Sequence, residues 1–512
     1  MLGIIPAAGS GVRFKELGKQ YPKCILPYKE KPLLIWNIEF MLIQGCTEIK
    51  VIVNHRKEKV QEIIDMYYDN SDFISLVEQK EKSGLSSAIL SGLDGTKSEV
   101  LIVLGDLISK SREKMELKEN FVTVQKVNDF SRWCMVSEEN GVVKDFYDKP
   151  EFKPPTKFSL NGIYFFTDST KLKSSIEKQL ISGTKISGEL QFSTAMEFLE
   201  EPIKILEKEV IDFGTLEEYL SNRKIKTSRS FNDIIEEDGL ITKKSSQTSK
   251  LYNEYNWFNI LPNEISIHTP KIYCENLLSE GSYTMERIYA PSLREIFLFL
   301  DSSEETWGSI FDSLFSVIDK MKKYKSNETI FMKNMFSKTK ERIQKIEIPI
   351  ENVVVNNFLS EFELMVSKDD KKDNIIHGDF CFSNILCDLS KSNNSIKMID
   401  PRGEIYGSTY YDIAKICHSV FYDYDFIDSE LYFLKDDYRI YNDGKMNIKK
   451  LFYRKLKLVL NLEELKYIRY ITASLFLSMI PLHSHNRNNQ IMYYKKFKEI
   501  YLGGSFEKNF SD

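Results

Sequence analysis

Asn374-Ile-Ile-His-Gly-Asp-Phe-Cys-Phe-Ser-Asn-Ile-Leu386, followed after a short polar gap by Ile396-Lys-Met-Ile-Asp-Pro-Arg-Gly403, is the stretch around which the chain is organised. Carboxylates seldom sit inside apolar runs without a partner or a role. Phosphoryl transfer needs a carboxylate to orient an attacking hydroxyl, and oxygen ligands that hold Mg²⁺ against nucleotide phosphates; a short loop carrying Asp379 and Asn384, then a strand ending at Asp400, supplies all three. Asp379 is expected to act as the base, with Asn384 and Asp400 on the metal. His377 is expected to anchor the loop by hydrogen bonds, and Asp412 to cap the next helix or brace the loop.

The pattern His-Gly-Asp-x-x-x-x-Asn with a later Ile-Asp-Pro resembles the aminoglycoside phosphotransferase and choline kinase superfamily, which shares the protein-kinase-like fold. The resemblance covers about residues 240–505 and implies a C-terminal α+β kinase-like domain that uses ATP and Mg²⁺. In such folds a strand lysine pairs with a helix glutamate to hold the nucleotide phosphates. Leu240–Ser245 reads as that strand and Lys250–Leu261 as that helix, with Glu254 on it. Parity along a short strand does not decide between Lys243 and Lys244; Lys244 is favoured. Tyr283–Ile288 is expected as the hinge strand facing adenine, with Glu286 among the nucleotide-binding residues. Helical periodicity follows at Ser302–Lys323, Val353–Val366, Tyr467–Met479 and Met492–Tyr501, with a polar break at Arg487-Asn488-Asn489.

At 512 residues the chain exceeds the size of an ordinary single core, so two or three domains are expected. Charged residues at 28% and hydrophobic ones at 42% indicate an ordinary globular chain. A formal net charge of −5 offers no global attraction for nucleic acid, which favours small phosphorylated substrates and nucleotides as partners. Seven cysteines are scattered without a Cys-x-x-Cys pair, so neither a zinc knuckle nor a disulfide framework is indicated. The chain start lacks a basic region followed by a long apolar one, and no run approaches a membrane span; a cytoplasmic location without membrane insertion is expected, and a homo-oligomer is left open.

Near the start, the apolar run Leu2–Pro6 stops at Ala7-Ala8-Gly9-Ser10-Gly11-Val12-Arg13, and Pro22-Lys23 follows. Glycines at 9 and 11 let backbone N–H groups approach phosphate oxygens, while Arg13 and Lys23 can neutralise a triphosphate and its leaving pyrophosphate. Leu33–Gly45 is helical in period, Glu48–Asn54 reads as a strand and Lys57–Tyr68 as a helix, an alternation that predicts an α/β layer with a mostly parallel sheet. Val100–Leu104 is a buried central strand ending at Gly105-Asp106, where ligands collect in open sheets.

These residues resemble the sugar-phosphate nucleotidyltransferases over roughly residues 1–223, which implies an N-terminal Rossmann-like domain with a mixed, mostly parallel sheet. The resemblance implies that Ala8, Gly9 and Gly11 cradle the nucleotide and that Arg13 and Lys23 are catalytic. It also implies that Gln79 with Gly84 reads a pyrimidine, and that Asp106 and Asp212 hold Mg²⁺. Lys149 would hold the acceptor phosphate, with Asn161 and Glu189 along the acceptor. Three departures surround the acceptor side: Ile211 stands where Trp is frequent, Asp148 replaces Glu, and Ser193-Thr194-Ala195 stands for Thr-Asp-Ala.

The expected organisation is therefore residues 1–225 as nucleotidyltransferase-like domain, 226–239 as linker and 240–512 as kinase-like domain. Together they imply a bifunctional enzyme that phosphorylates a small hydroxylated substrate with ATP. It then couples the phosphate to UTP, dTTP or CTP, giving an activated precursor for surface polysaccharide and releasing pyrophosphate. A sugar or polyol is the leading substrate, choline or ethanolamine the rival. A reading of another class makes one domain an inactive binding or regulatory module.

Overall fold

Alternating apolar runs and amphipathic stretches produce two units, Met1–Ile225 and Lys226–Asp512. The structure is a computed structural model that describes all residues except 10–13, 15–20, 30, 55, 69–71, 80–83, 184–189, 223–231, 277–280, 301, 390–394, 435–437, 441–444, 505 and 507–512.

In the first unit β1 (Leu2–Pro6), α1 (Leu33–Gln44), β2 (Glu48–Val53), α2 (Lys57–Tyr67), β3 (Ile74–Glu78), α3 (Leu85–Gly92) and β4 (Val100–Val103) alternate as their periodicities predict. Every residue of β4 is buried, so its continuous aliphatic run needs no polar face. Further on come β5 (Leu107–Ser109), β6 (Phe121–Lys126), β7 (Cys134–Glu139), β8 (Val142–Asp148) and β9 (Phe158–Phe166). Then come α4 (Ser169–Ser182), α5 (Phe192–Glu197), β10 (Lys204–Glu207) and β11 (Val210–Asp212), and the helix Leu216–Asn222 closes the unit.

The nine-stranded sheet runs β3-β2-β1-β4-β9-β6-β10-β8-β7, and β5 pairs β11 in a separate ribbon. Strands β1 to β4 pair in parallel, but from β9 onward the pairs are antiparallel except β6 with β10. The expectation of a mostly parallel sheet therefore holds for one half alone. Its other half has no crossover helix between Phe121 and Phe166, and parallel neighbours require one. Ile4, Ile102, Val122, Tyr164 and Phe192 meet in the core of this unit.

The second unit starts with an antiparallel sheet of β12 (Asn232–Glu237), β13 (Leu240–Ser245), β14 (Ile272–Asn276) and β15 (Ser282–Glu286), in the order β12-β13-β15-β14. Asn232–Glu237, which falls within the expected linker 226–239, is an edge strand. Its acidic run reads as junction, yet charge is how edge strands resist further pairing. Helix α6 (Thr248–Ile260) follows β13, and the rest is mainly helical: α7 (Leu293–Phe299), α8 (Glu304–Lys322), α9 (Phe331–Ile343) and α10 (Asn352–Ser367), then α11 (Thr409–Val420), α12 (Met446–Val459), α13 (Leu462–Met479) and α14 (Arg487–Leu502). A two-strand hairpin, β16 (Ile385–Asp388) with β17 (Ser395–Met398), interrupts them. The expected break at Arg487-Asn488-Asn489 is the first turn of α14, whose N-terminal amides Asn486 caps through its side chain.

Candidate active sites

In the first unit Gly105 follows β4 where the backbone closes on β1. Its N–H donates to the Pro6 carbonyl at 3.1 Å, and a Cβ there would sit 3.0 Å from that oxygen. This close approach sets Asp106 at the mouth of the loop that follows β1. Asp212 arrives on β11, opposite Leu107, and the Phe213 N–H donates to the Asp106 carbonyl at 2.8 Å. Lys23 ties the two segments together: its Nζ donates to the Gly214 carbonyl at 2.7 Å and lies 3.4 Å from Asp106 Oδ2.

Burial first, then repulsion from Asp106 and Glu218, raises the Asp212 carboxyl to about 7, while the Gly214 N–H and Arg132 oppose the rise. Arg132 lies 3.9 Å from Asp212 Oδ2 and pairs with Glu218. Sequence reasoning missed both residues. Glu218 carried a signal, because Thr215-x-x-Glu218 is a capping box in which the Glu218 carboxylate accepts from the Thr215 N–H at 3.0 Å and Thr215 Oγ1 from the Glu218 N–H at 3.2 Å. Arg132 carried none.

A cavity of ≈ 150 Å³ borders Asp106 and Asp212, with Trp133, Asp148, Tyr164 and Phe192 in its wall. Asp148 Oδ2 accepts from Ser193 Oγ at 3.0 Å. Lys149 has a left-handed backbone (φ 47°), and its N–H donates to the Trp133 carbonyl. Its side chain is not among the described residues lining the cavity. Ala8 is buried and Gly9 exposed, with nothing within 4 Å of where a Gly9 Cβ would stand. Gly11, Arg13 and Glu189 lie outside the described residues.

Two of the expected residues are engaged by the protein itself. Asn161 does border the cavity, but its amide donates to the Lys208 carbonyl and its oxygen accepts from Thr123 Oγ1, so it braces the irregular stretch of β9. Gly84 is required by the chain itself. At φ +121° a Cβ would lie 2.6 Å from the Leu190 carbonyl oxygen, independently of any base. The buried Gln79 turns its amide towards this turn, donating to the Gly84 carbonyl and Ser87 Oγ at 3.4 Å each.

In the second unit the strand lysine is Lys243, which corrects the preference for Lys244. Lys243 Nζ stands 2.5 Å from Glu254 Oε1 on α6 and 2.9 Å from Asp400 Oδ1. Lys243 shares its strand face with the fully buried Ile241, whereas Lys244 falls on the opposite face. Burial pulls the Lys243 ammonium down, but the two carboxylates more than offset it and hold it above its ordinary value. Tyr283 Oη also donates to Glu254 Oε1. Glu286 ends β15 with its N–H on the Lys271 carbonyl and its carboxylate on the Lys271 N–H, away from this cluster.

The loop around Asp379 is fixed from below. Phe382 stacks on Trp307 and meets Phe297 edge-on. Asp412, on α11, accepts from the N–H groups of His377 and Gly378 at 2.8 and 2.9 Å. His377 is fully buried; its Nε2 bonds the Ile399 carbonyl at 3.0 Å while Nδ1 accepts from the Asp379 N–H. Burial lowers its pKa to about 4, so the ring is neutral and acts as an anchor. Burial raises Asp412 to about 7 against those two N–H bonds. Asp400 sits at φ 54°, a backbone region costly for a non-glycine residue and frequent at functional sites.

Asn384 Nδ2 donates to Asp379 Oδ2 at 3.0 Å, and Lys415 Nζ stands 2.9 Å from Asp379 Oδ1. Burial would raise Asp379, but Lys415 outweighs it and holds the carboxyl well below the usual range. Lys415, one helical turn after Asp412 on α11, was not foreseen, since nothing in the spacing connects it to Asp379.

Residues 2–227 match the nucleotidyl transferase family. The bifunctional protein GlmU of Methanocaldococcus jannaschii is 33% identical over 40% of this chain and 48% of its own. D-glycero-alpha-D-manno-heptose 1-phosphate guanylyltransferase of Campylobacter jejuni is 27% identical over 43% of this chain and 97% of its own. A solved UDP-glucose pyrophosphorylase complexed with UDP-glucose aligns with 43% of this chain and 96% of its own at 23% identity and a TM-score of 0.38. The chain spans about half the length of curated relatives such as that GlmU. The first unit is a nucleotidyltransferase domain with sugar-phosphate nucleotidyltransferase homologues. Among the described residues no helix is long and apolar enough to cross a membrane.

Proposed function

We propose that the chain is a bifunctional enzyme: the second unit phosphorylates the hydroxyl of a small molecule with ATP, and the first couples that phosphate to a pyrimidine nucleoside triphosphate. The observation that carries the kinase half is the meeting of Lys243 and Glu254 with Asp400, 157 residues beyond Lys243, beside a loop that holds Asp379 against Asn384.

Asp379 is held ionised by Lys415 and serves to orient the acceptor hydroxyl and take its proton. Lys243, fixed by Glu254, binds the ATP phosphates. Asn384 and Asp400 offer oxygen ligands that suit Mg²⁺, as do Asp106 and Asp212 in the first unit. Among the described residues no group of three or more His, Cys, Asp or Glu side chains is placed to hold a metal, so nucleotide phosphates would complete either shell. When bound, Mg²⁺ supplies Lewis-acid stabilisation of the phosphate oxygens. In the first unit an acceptor phosphate oxygen attacks the α-phosphorus, the bond to the β-phosphate breaks, and pyrophosphate leaves with Lys23 neutralising its charge.

The pyrimidine preference rests on Gln79, whose carboxamide both donates and accepts and so pairs with uracil, thymine or cytosine. Relatives include uridylyl-, thymidylyl- and guanylyltransferases, so they leave the base to experiment. The test follows ATP consumption and pyrophosphate release separately, across sugars, polyols and amino alcohols with each triphosphate. ATP-dependent phosphorylation of one alcohol, followed by pyrophosphate release from its phosphate ester, is expected. Failure of ATP consumption with every alcohol would remove the kinase half.

A further inference from the structure

We infer that the alcohol phosphorylated by the second unit carries an anionic group, a carboxylate or a phosphate, seated between Arg402 and Lys338 while its hydroxyl meets Asp379. The inference rests on the kinase reading of that unit and specifies its acceptor.

Arg402 is brought to Asp379 by the backbone. Its N–H donates to the His377 carbonyl at 3.0 Å, and its side chain crosses Gly378, where an added Cβ would stand 2.9 Å from Arg402 Cβ. Arg402 Nη1 donates to Tyr411 Oη at 2.9 Å, and Nε stands 3.2 Å from Glu404 Oε2. Nη2 makes no hydrogen bond among the described residues. Both side chains keep part of their surface exposed, 20% for Arg402 and 35% for Asp379, so a molecule in solution can reach them together.

Lys338 comes to the same place from α9. Phe331 on that helix packs under Gly407, where a Cβ would lie 2.7 Å from its ring, and meets the Tyr411 ring edge-on at 5.3 Å. Positions i + 7 and i + 11 of a helix return to one stripe, so Lys338 and Arg342 follow Phe331 along the face turned to the segment that carries Arg402. Lys338 is half-buried, and among the described residues it has neither an ion-pair nor a hydrogen-bond partner. Burial, then repulsion from Arg402, pulls its ammonium below the ordinary value; Glu404 opposes the fall, and Arg342 and Lys250 add to it.

Charge decides the ligand. Lys338, Arg402, Arg342 and Lys250 bring four positive charges to this place and Glu404 one negative charge. Asp379, a second carboxylate that acts on Arg402, is already matched by Lys415 at 2.9 Å. A half-buried ammonium without a counterion costs free energy that a bound anion removes. A guanidinium with an unused Nη2 offers donors in the fixed geometry that suits carboxylate and phosphate oxygens. A neutral alcohol leaves these charges unbalanced, and an ammonium-bearing alcohol meets like charge. In the reaction the acceptor hydroxyl oxygen forms the bond to the γ-phosphorus, the bond from that phosphorus to the β–γ bridging oxygen breaks, ADP leaves, and the hydroxyl proton goes to Asp379. The acceptor's anionic group takes no part.

The test measures ADP formation by the full chain with Mg²⁺ and ATP, with acceptors in matched sets. One set is glycerol, glycerate and glycerol 3-phosphate, a second is glucose, gluconate and glucose 6-phosphate, and 2-aminoethanol with its N-trimethyl analogue forms the cationic set. In one of the first two sets the carboxylate or the phosphate ester is expected to exceed the neutral member in kcat/KM by about tenfold or more, the scale of one charge-assisted contact. Whichever of the two anions does so identifies the group. Lys338→Met should bring that ratio to within about threefold, and Lys338→Arg should keep most of it. Arg402→Lys, which keeps the charge and loses the fork, should lower the same ratio by a smaller factor and serves as the second variant should Lys338→Met not fold. ADP formation that is fastest with a neutral or cationic alcohol overturns the inference and leaves the kinase reading standing. A preference for the anion that survives both Lys338→Met and Arg402→Lys in folded protein overturns the assignment of the site. A rise in KM for ATP that is equal with neutral and anionic acceptors means that the two cations serve the nucleotide, and overturns it as well. No ADP formation with any member of any set defeats the inference, and with the broader screen of alcohols also silent it defeats the kinase reading beneath it.

Discussion

The two candidate sites both depend on carboxylates, but they balance those charges in opposite ways. In the second unit Asp400 and Glu254 share the ammonium of Lys243, and Asp379 has Lys415 at 2.9 Å, so the chain supplies the countercharges. Among the described residues of the first unit, Asp106 has Lys23 at 3.4 Å and Asp212 has a guanidinium at 3.9 Å; burial and repulsion push Asp212 up to about 7. Among the described residues one site pairs its carboxylates closely, and the other pairs Asp212 only at a distance. The kinase-like site should therefore fail when a side chain is removed, and the nucleotidyltransferase site should respond most to pH and Mg²⁺.

The largest effects are expected from the charged pairs themselves. Asp379→Asn should reduce kinase turnover by about 10²–10⁴ while leaving pyrophosphate release from supplied phosphate ester intact, and Asp106→Asn should do the reverse. Equal loss of both activities in either variant would point to one composite site. Lys243→Met removes the countercharge of two carboxylates and should cost ~3–5 kcal/mol of stability in the second unit as well as kinase activity, because it leaves buried charge unpaired. Lys244→Met, on the other strand face, should cost less than ~1 kcal/mol. Thermal melts of the two variants side by side check the assignment; equal destabilisation would return the question to parity.

A smaller effect comes from the support beneath Asp379. Asp412 is raised to about 7, so the folded state holds more protons than the unfolded chain between about pH 4 and 7, and stability falls as pH rises through that window. His377 is lowered to about 4, so the unfolded chain holds more protons between about pH 4 and 6.5, and stability rises with pH there. The two slopes oppose each other within one hydrogen-bonded loop. Relative to the native chain, Asp412→Asn should thus shift the slope of stability against pH upward and His377→Gln should shift it downward, each by about 1 kcal/mol per pH unit. Calorimetric melts of both variants and the native chain from pH 4.5 to 6.5 read the slopes; a change of slope in the same direction in both variants would refute the compensation.

What could be read from sequence follows the same division. Val100–Leu104 ending at Gly105-Asp106 was legible because a fully buried strand needs no polar face, and the His377–Asn384 loop because its residues are contiguous. Lys243 was not, since Leu240 and Ile241 are both apolar and give either parity a core-facing partner. The choice is made by Glu254 on α6, a tertiary contact. Lys415 and Arg132 reach their carboxylates across 36 and 80 residues (415 − 379 and 212 − 132), so no local spacing announces them. Asn232–Glu237 hid as a strand because edge strands and linkers favour the same charged residues. Asn161 and Gly84 show the converse: residue types suited to a ligand are here engaged by the protein's own backbone and side chains.

The smallest expected effect sharpens the contrast between the sites most directly. If Asp212 awaits a cation, Mg²⁺ without nucleotide should stabilise the first unit, but only where the carboxyl is ionised. A proton and Mg²⁺ compete for the same oxygens, so with Asp212 at about 7 the stabilisation should be present at pH 8 and lost by pH 5.5. Binding to two carboxylates without phosphates is weak, and Mg²⁺ at tenfold over a millimolar Kd would contribute only about 1.4 kcal/mol. Asp212→Asn should abolish the shift and remove its pH dependence. Asp400→Asn should leave it unchanged, since Asp400 lies in the second unit and already pairs with Lys243. Melting curves at both pH values, with Mg²⁺ and with a monovalent salt of equal ionic strength, provide the measurement. A Mg²⁺ shift of the same size at pH 5.5 and pH 8 would mean that Asp212 is not the group that receives the cation.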